Sequence, residues 1–134
     1  MLYMLDTNIC IYLMKKKPLS YFKKLAVLEK QHTIVISSIV LAELQYGVAN
    51  SQYKEQSQIN LNLLLSRLDV LPYTDQCAFY YGEIRAELKR NGNMIGANDL
   101  LIASHALTEK AILVTNNSSE FKRISGIKIE NWHE

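Results

Sequence analysis

Short apolar runs rich in β-branched residues alternate along this chain with stretches of helical period. That alternation confines it to an α/β domain built on a largely parallel sheet. Residues 2–5 (LYML) read as a first strand, 33–36 as a second, 70–71 as a short third, 111–114 as a fourth and 127–129 as a fifth. The stretches between them read as helices. One begins at about residue 8, and a second follows Pro18 with Tyr21, Phe22, Leu25 and Leu28 on its buried face. A third is capped by Ser37 or Ser38, and a fourth carries Ile59, Leu63 and Leu64 as apolar positions. A fifth, capped by Thr74 with Asp75, buries Cys77, Tyr81, Ile84 and Leu88 before the stop Asn91-Gly92-Asn93. A sixth is capped by Asn98 and runs from Asp99 to about Thr108.

A chain of 134 residues suits one domain, 1–134, with a core large enough to fold without disulfides or a structural metal. Cys10 and Cys77 stand far apart and outside any zinc-type spacing, so both read as reduced core residues of a cytoplasmic protein. The opening MLYMLD has no basic region and no long apolar run, which argues against a signal peptide. The net charge of +2 does not by itself point to nucleic acid. Its distribution is more informative. Lys15, Lys16, Lys17, Lys23 and Lys24 form one basic cluster, and Arg85, Lys89 and Arg90 form another. Either is suited to phosphates or to plain solvation.

Three acidic residues fall where a parallel sheet exposes its carboxyl edge. Asp6 follows the first strand directly, a position that faces the crevice in open α/β sheets or caps a helix. Glu43 lies amid Leu41, Ala42 and Leu44, so it is either part of a solvent stripe or a buried functional group. Asp99 opens a helix whose continuation, LLIASHAL, is almost wholly apolar. Hard oxygen donors without histidine suit Mg²⁺, with Mn²⁺ as a substitute, and such ions act on phosphodiesters. Beyond the fourth strand, Thr115 is placed to hydrogen-bond a site carboxylate. Asn116, Asn117 and Glu120 are placed to hold a phosphate or water. His105, inside the apolar helix, reads as a core histidine. Trp132 reads as packing for the C-terminal tail, and Tyr46 as a wall of the groove beside Glu43.

Four motifs together resemble the PIN-domain ribonucleases, and among them the VapC toxins of bacterial toxin–antitoxin pairs. They are MLDTNICIYLMK (4–15), SSIVLAELQYG (37–47), IGANDLLIASHAL (95–107) and VTNNSSEFKRI (114–124). The resemblance implies a three-layer α/β/α fold and a homodimer with paired acidic sites. It implies a magnesium-dependent endoribonuclease with Asp6 and Asp99 as metal ligands and Glu43 completing the acidic site. Many family members carry an aspartate after the fourth strand. Here asparagines stand there, with Glu120 as the candidate for that corner and Asn116 and Asn117 acting through water. The resemblance further implies a VapB antitoxin, operator DNA bound through the toxin–antitoxin complex, and structured RNA as substrate, tRNA or a ribosomal RNA loop, initiator tRNA first.

Other classes fit less well. A receiver-like signalling domain needs paired acidic residues after the first strand and a phosphoacceptor after the third, where Pro72-Tyr73 stands here. Neither GxGxxG nor GxxxxGK[ST] occurs. The remaining alternative is a catalytically inactive PIN-like module that binds nucleic acid or protein.

Overall fold

A computed structural model describes residues 1–132. The chain order is β1 (Leu2–Leu5), α1 (Thr7–Lys15), α2 (Leu19–Leu28), β2 (Thr33–Ser37), α3 (Ser38–Ala49), α4 (Lys54–Leu65) and β3 (Asp69–Leu71). It continues with α5 (Asp75–Arg90), α6 (Ala97–Glu109), β4 (Ile112–Thr115), α7 (Ser118–Phe121) and β5 (Lys128–Asn131). The five strands form one sheet in the order β3-β2-β1-β4-β5, with every pairing parallel. Helices flank the sheet, giving the expected three-layer α/β/α arrangement.

The sheet is parallel because each strand returns through helices, and its inner strands are buried for the same reason. Met4, Leu5, Ile36, Leu113 and Val114 are fully enclosed. Both cysteines are free and buried, in keeping with their reading as core residues. The chain runs outward from β1 to β3 on one side, then resumes on the other side with β4. The crevice where the two directions part lies between β1 and β4, at their carboxyl ends. The register Leu5↔Val114 brings the residues that follow each strand, Asp6 and Thr115, side by side at that crevice.

Several local expectations need correction. Gly96, not Asn98, occupies the N-cap of α6, so the helix begins at Ala97 and Asp99 lies within its first turn. Thr74 holds the N-cap position of α5, yet its side chain makes no capping bond; its hydroxyl instead lies 3.5 Å from Cys77 Sγ. In α4 the buried positions are Leu61 and Leu64, while Ile59 and Leu63 are exposed. The helix carries apolar residues on more than one face; Leu61 and Leu64 enter the core, and Leu65 packs partly buried against it. On α2, Tyr21 and Leu25 are enclosed, whereas Phe22 and Leu28 are only half-buried. No described helix is long and apolar enough to cross a membrane.

Leu113 stands at the centre of β4, fully enclosed and paired with Met4 on one side and Ile129 on the other. Leu113→Ala is expected to cost about 2–5 kcal/mol, from lost transfer energy and the cavity left behind. Urea unfolding of the parent and the variant measures it directly.

Candidate active site

Asp6 leaves β1 at the point where α1 begins. It serves as the helix cap, its Oδ1 accepting the Asn8 amide at 3.2 Å. Its other oxygen accepts the Thr115 hydroxyl at 2.6 Å, and the Asp6 amide donates to Val114 O at 2.9 Å. The side chain is thus almost enclosed, at 3% exposure, yet bonded at both oxygens. Burial pushes its carboxyl above the usual range, opposed by the Thr115 hydroxyl and the Asn8 and Thr7 amides. Both functional readings of Asp6 hold at once, since the residue caps a helix and faces the crevice.

Glu43 projects from α3 and is half-buried, with its Oε1 accepting the Thr7 hydroxyl at 3.0 Å. Thr7 was not singled out from the sequence. It stands in the first turn of α1, directly after Asp6, and ties the first acidic segment to the second. Asp99, also half-buried, enters from the first turn of α6. The three carboxylates line one open groove of about 710 Å³ together with Thr7, Asn8, Ile11, Tyr46 and Asn98. Tyr46 is 70% exposed on its wall, as expected.

The segment after β4 supports this groove from behind. The Thr115 hydroxyl accepts the Asn117 amide at 2.9 Å while donating to Asp6. Asn117 Nδ2 donates to Glu120 Oε2 at 2.9 Å, and Glu120 in turn is hydrogen-bonded to Asp99. Phe121, fully buried, anchors the short α7 that carries Glu120. Asn116 differs from its neighbours: its side chain is engaged by the Tyr21 hydroxyl. Thus Asp6, Glu43 and Asp99 meet in the groove. Thr115 holds Asp6, Glu120 with Asn117 behind it holds Asp99, Thr7 holds Glu43, and Asn116 turns to α2.

Electrostatics follow from the crowding. Burial first, then the bond to Glu120 and the charges of Asp6, Glu120 and Glu43, push the Asp99 carboxyl up to about 7. Glu120 is held below its ordinary range, chiefly because it accepts the Asp99 proton. Asp99 and Glu120 therefore act as a carboxyl–carboxylate pair sharing one proton. The donors in the groove are all hard oxygens, which suits a small divalent cation better than a soft one. Among the described residues, no three acidic, histidine or cysteine side chains converge closely enough to hold an ion by themselves. A cation here would complete its shell with water, as Mg²⁺ commonly does.

The basic clusters divide. Lys15 lines a cavity of about 310 Å³ that shares Ile11, Glu43 and Gly47 with the acidic groove. Lys24 is tied down, its Nζ donating to Trp132 O at 3.0 Å. Arg85 donates to the Tyr81 hydroxyl at 3.0 Å.

The raised Asp99 carboxyl has a stability consequence. The folded state holds that proton more tightly than the unfolded chain, whose carboxyl titrates near 3.8. Its contribution is complete below that value and is lost as pH rises through about 7. Asp99→Asn, whose amide can still donate to Glu120, is expected to melt higher than the parent at alkaline pH without divalent cations. The gain should shrink as pH falls toward the unfolded value. Melting curves of both proteins across that range check this, and a gain independent of pH would contradict it.

Comparison with known proteins shows the family of the chain. The family model described as PIN domain matches residues 3–127. The chain is 59% identical over 132 residues to Ribonuclease VapC2 of Rickettsia felis, covering 98% of each chain. It is 43% identical over 130 residues to the tRNA(fMet)-specific endonuclease VapC of Shigella flexneri, covering 97% of each. Among solved structures, VapBC2 from Rickettsia felis bound to a DNA fragment from its promoter superposes with a TM-score of 0.95 at 57% identity. That match covers 98% of this chain and 99% of the other.

Proposed function

Because the chain belongs to the PIN-domain family, in its VapC branch, we propose that it is the ribonuclease toxin of a VapBC-type pair. It hydrolyses structured RNA with the help of Mg²⁺ and thereby blocks translation. The observation that carries this reading is the convergence of Asp6, Glu43 and Asp99 in one open groove at the switch point of the sheet. Initiator tRNA is the leading substrate, supported by the relative from Shigella flexneri that is named as specific for it. A VapB-type antitoxin is its partner, and operator DNA is bound through their complex, as in the Rickettsia felis assembly. The toxin acts as a homodimer.

Asp6 and Asp99 are the residues that would hold the cation. When bound, the ion supplies a Lewis acid for the phosphodiester and lowers the pKa of a water. The chain's own groups do the rest. Glu43, steadied by the Thr7 hydroxyl, orients the attacking water in line with the leaving oxygen. Thr115 and the Asn8 amide keep Asp6 aimed into the crevice. Glu120 accepts a hydrogen bond from the protonated Asp99 carboxyl and, held below its ordinary range, is the weaker base of the two, so Asp99 would release its proton to solvent on taking up a cation. Lys15, beside the groove, attracts a flanking phosphate, so binding weakens with salt. The products carry a 5′-phosphate and a 3′-hydroxyl.

The test is cleavage of initiator tRNA by purified protein. Asp6→Asn and Asp99→Asn should each lower the rate by roughly 100-fold or more, through loss of transition-state charge stabilisation, while both proteins stay folded. Excess EDTA should abolish the reaction. Full activity in either variant, or in EDTA, would sink the proposal. Absence of cleavage in the parent would favour the inactive binding module instead.

A further inference from the structure

Away from the groove, α6 buries a polar side chain that the mechanism above does not use. His105 is fully enclosed, and its Nδ1 lies 2.7 Å from Ser37 Oγ at the end of β2. Ser37 Oγ also accepts the Ile39 amide at 3.0 Å, the bond that caps α3. A hydroxyl that accepts there keeps its own proton to give and a second lone pair to accept with, so its bond to Nδ1 forms with either imidazole tautomer. Nε2 has no hydrogen-bond partner among the described residues, and Glu109, one turn along α6, stands 3.9 Å away. Burial holds the imidazole below its ordinary pKa, only partly opposed by Glu109, which keeps the ring neutral.

Tyr73 closes a second path between the same helices. Its amide donates to Ser38 Oγ at 3.0 Å, and its hydroxyl lies 2.8 Å from Ser104 Oγ. Its ring meets that of His105 edge-on, with centroids 5.6 Å apart. The series Ser37, His105 and Glu109 has the residue types of a hydrolytic triad, but Ser37 is fully enclosed and its oxygen is committed to a helix cap. It cannot meet a substrate.

What the cluster joins is informative. Glu43 lies six residues beyond Ser37 on α3, and Asp99 lies six residues before His105 on α6. Each carboxylate is therefore about 9 Å along its helix from the clamp. Apolar contacts alone let packed helices slide, whereas a buried hydrogen bond is directional and expensive to leave unmade. We propose that His105 is a positioning residue: its buried bond to Ser37, braced by Tyr73, sets the separation of α3 from α6 and so that of Glu43 from Asp99. The kinetic consequence rests on the ribonuclease reading; the structural one does not.

The test has two arms. The first measures kcat and KM on initiator tRNA for His105→Leu, His105→Asn and Ser37→Ala. The second follows the amide chemical shifts of Glu43 and Asp99 in the same proteins without RNA. His105→Leu removes the polar partner of Ser37, while His105→Asn keeps one close to the position of Nδ1. His105→Leu and Ser37→Ala should lower kcat by about 10- to 100-fold, the cost of a small misplacement of reacting groups, with KM unchanged. Both amides should move in those variants. His105→Asn should restore kcat and the shifts, and the Leu–Ala double variant should be no slower than the single ones. A folded His105→Leu protein with parental kcat, or with unmoved amides, would overturn the proposal. So would an Asn variant as slow as the Leu variant. If His105→Leu does not fold, the comparison of His105→Asn with Ser37→Ala decides. If the parent fails to cleave RNA, the ribonuclease reading falls and the shift arm alone decides the clamp.

Discussion

The Thr115 hydroxyl donating to Asp6 at 2.6 Å is the contact on which the site depends. A carboxylate at 3% exposure is costly unless its oxygens are satisfied. Thr115 satisfies one oxygen and the capping amide of Asn8 the other. The bond exists because β1 and β4 are neighbours in a sheet whose sequence order would not pair them, and because their register ends both strands at the same level. Asp6 is thereby held at the one crevice where the sheet changes direction, with its helix-capping role and its acidic role met by different oxygens.

The other acidic side chains are arranged around that fixed point. Glu43 arrives on α3 and is tied to the residue after Asp6 through Thr7. Asp99 arrives on α6, and Glu120 is carried in by a single turn of helix anchored on Phe121. The result is a crowded set of carboxyls in which Asp99 keeps its proton up to about 7 and shares it with Glu120. Crowding of this kind opposes ionisation, so a cation taken up at this site would displace a proton as it binds.

Much of this was legible in the sequence, for identifiable reasons. Asp6 and Asp99 could be placed because each directly follows an element boundary: the end of a short apolar strand and the start of an apolar helix. The Thr115 contact to a carboxylate was also foreseen. Glu43 taken alone had a weaker signal, since a charge within an apolar helix fits a solvent face equally well. Its place soon after the second strand, on the same sheet edge as Asp6 and Asp99, and the resemblance to a family singled it out. The cap of α6 was misplaced because Asn98 has a capping side chain but stands inside the first turn, after Gly96; Thr74 was placed correctly at the N-cap of α5, although its hydroxyl does not make the capping bond. The buried face of α4 was misassigned because leucines and Ile59 lie on several of its faces and only the neighbouring elements choose among them. The Ser37–His105 bond was out of reach altogether. It joins residues 68 positions apart, and sequence patterns report periodicity along one element rather than pairing between two.

The central claim is that Asp6 and Asp99 together form a divalent-cation site coupled to the proton on Asp99. Titration calorimetry with Mn²⁺ near pH 7, in buffers of differing ionisation enthalpy, tests it most directly. The account predicts saturable binding whose heat varies with the buffer, because Asp99 surrenders its proton to the solution, and loss of that binding in Asp6→Asn. Absence of binding in the parent, or equal binding in Asp6→Asn, would contradict it.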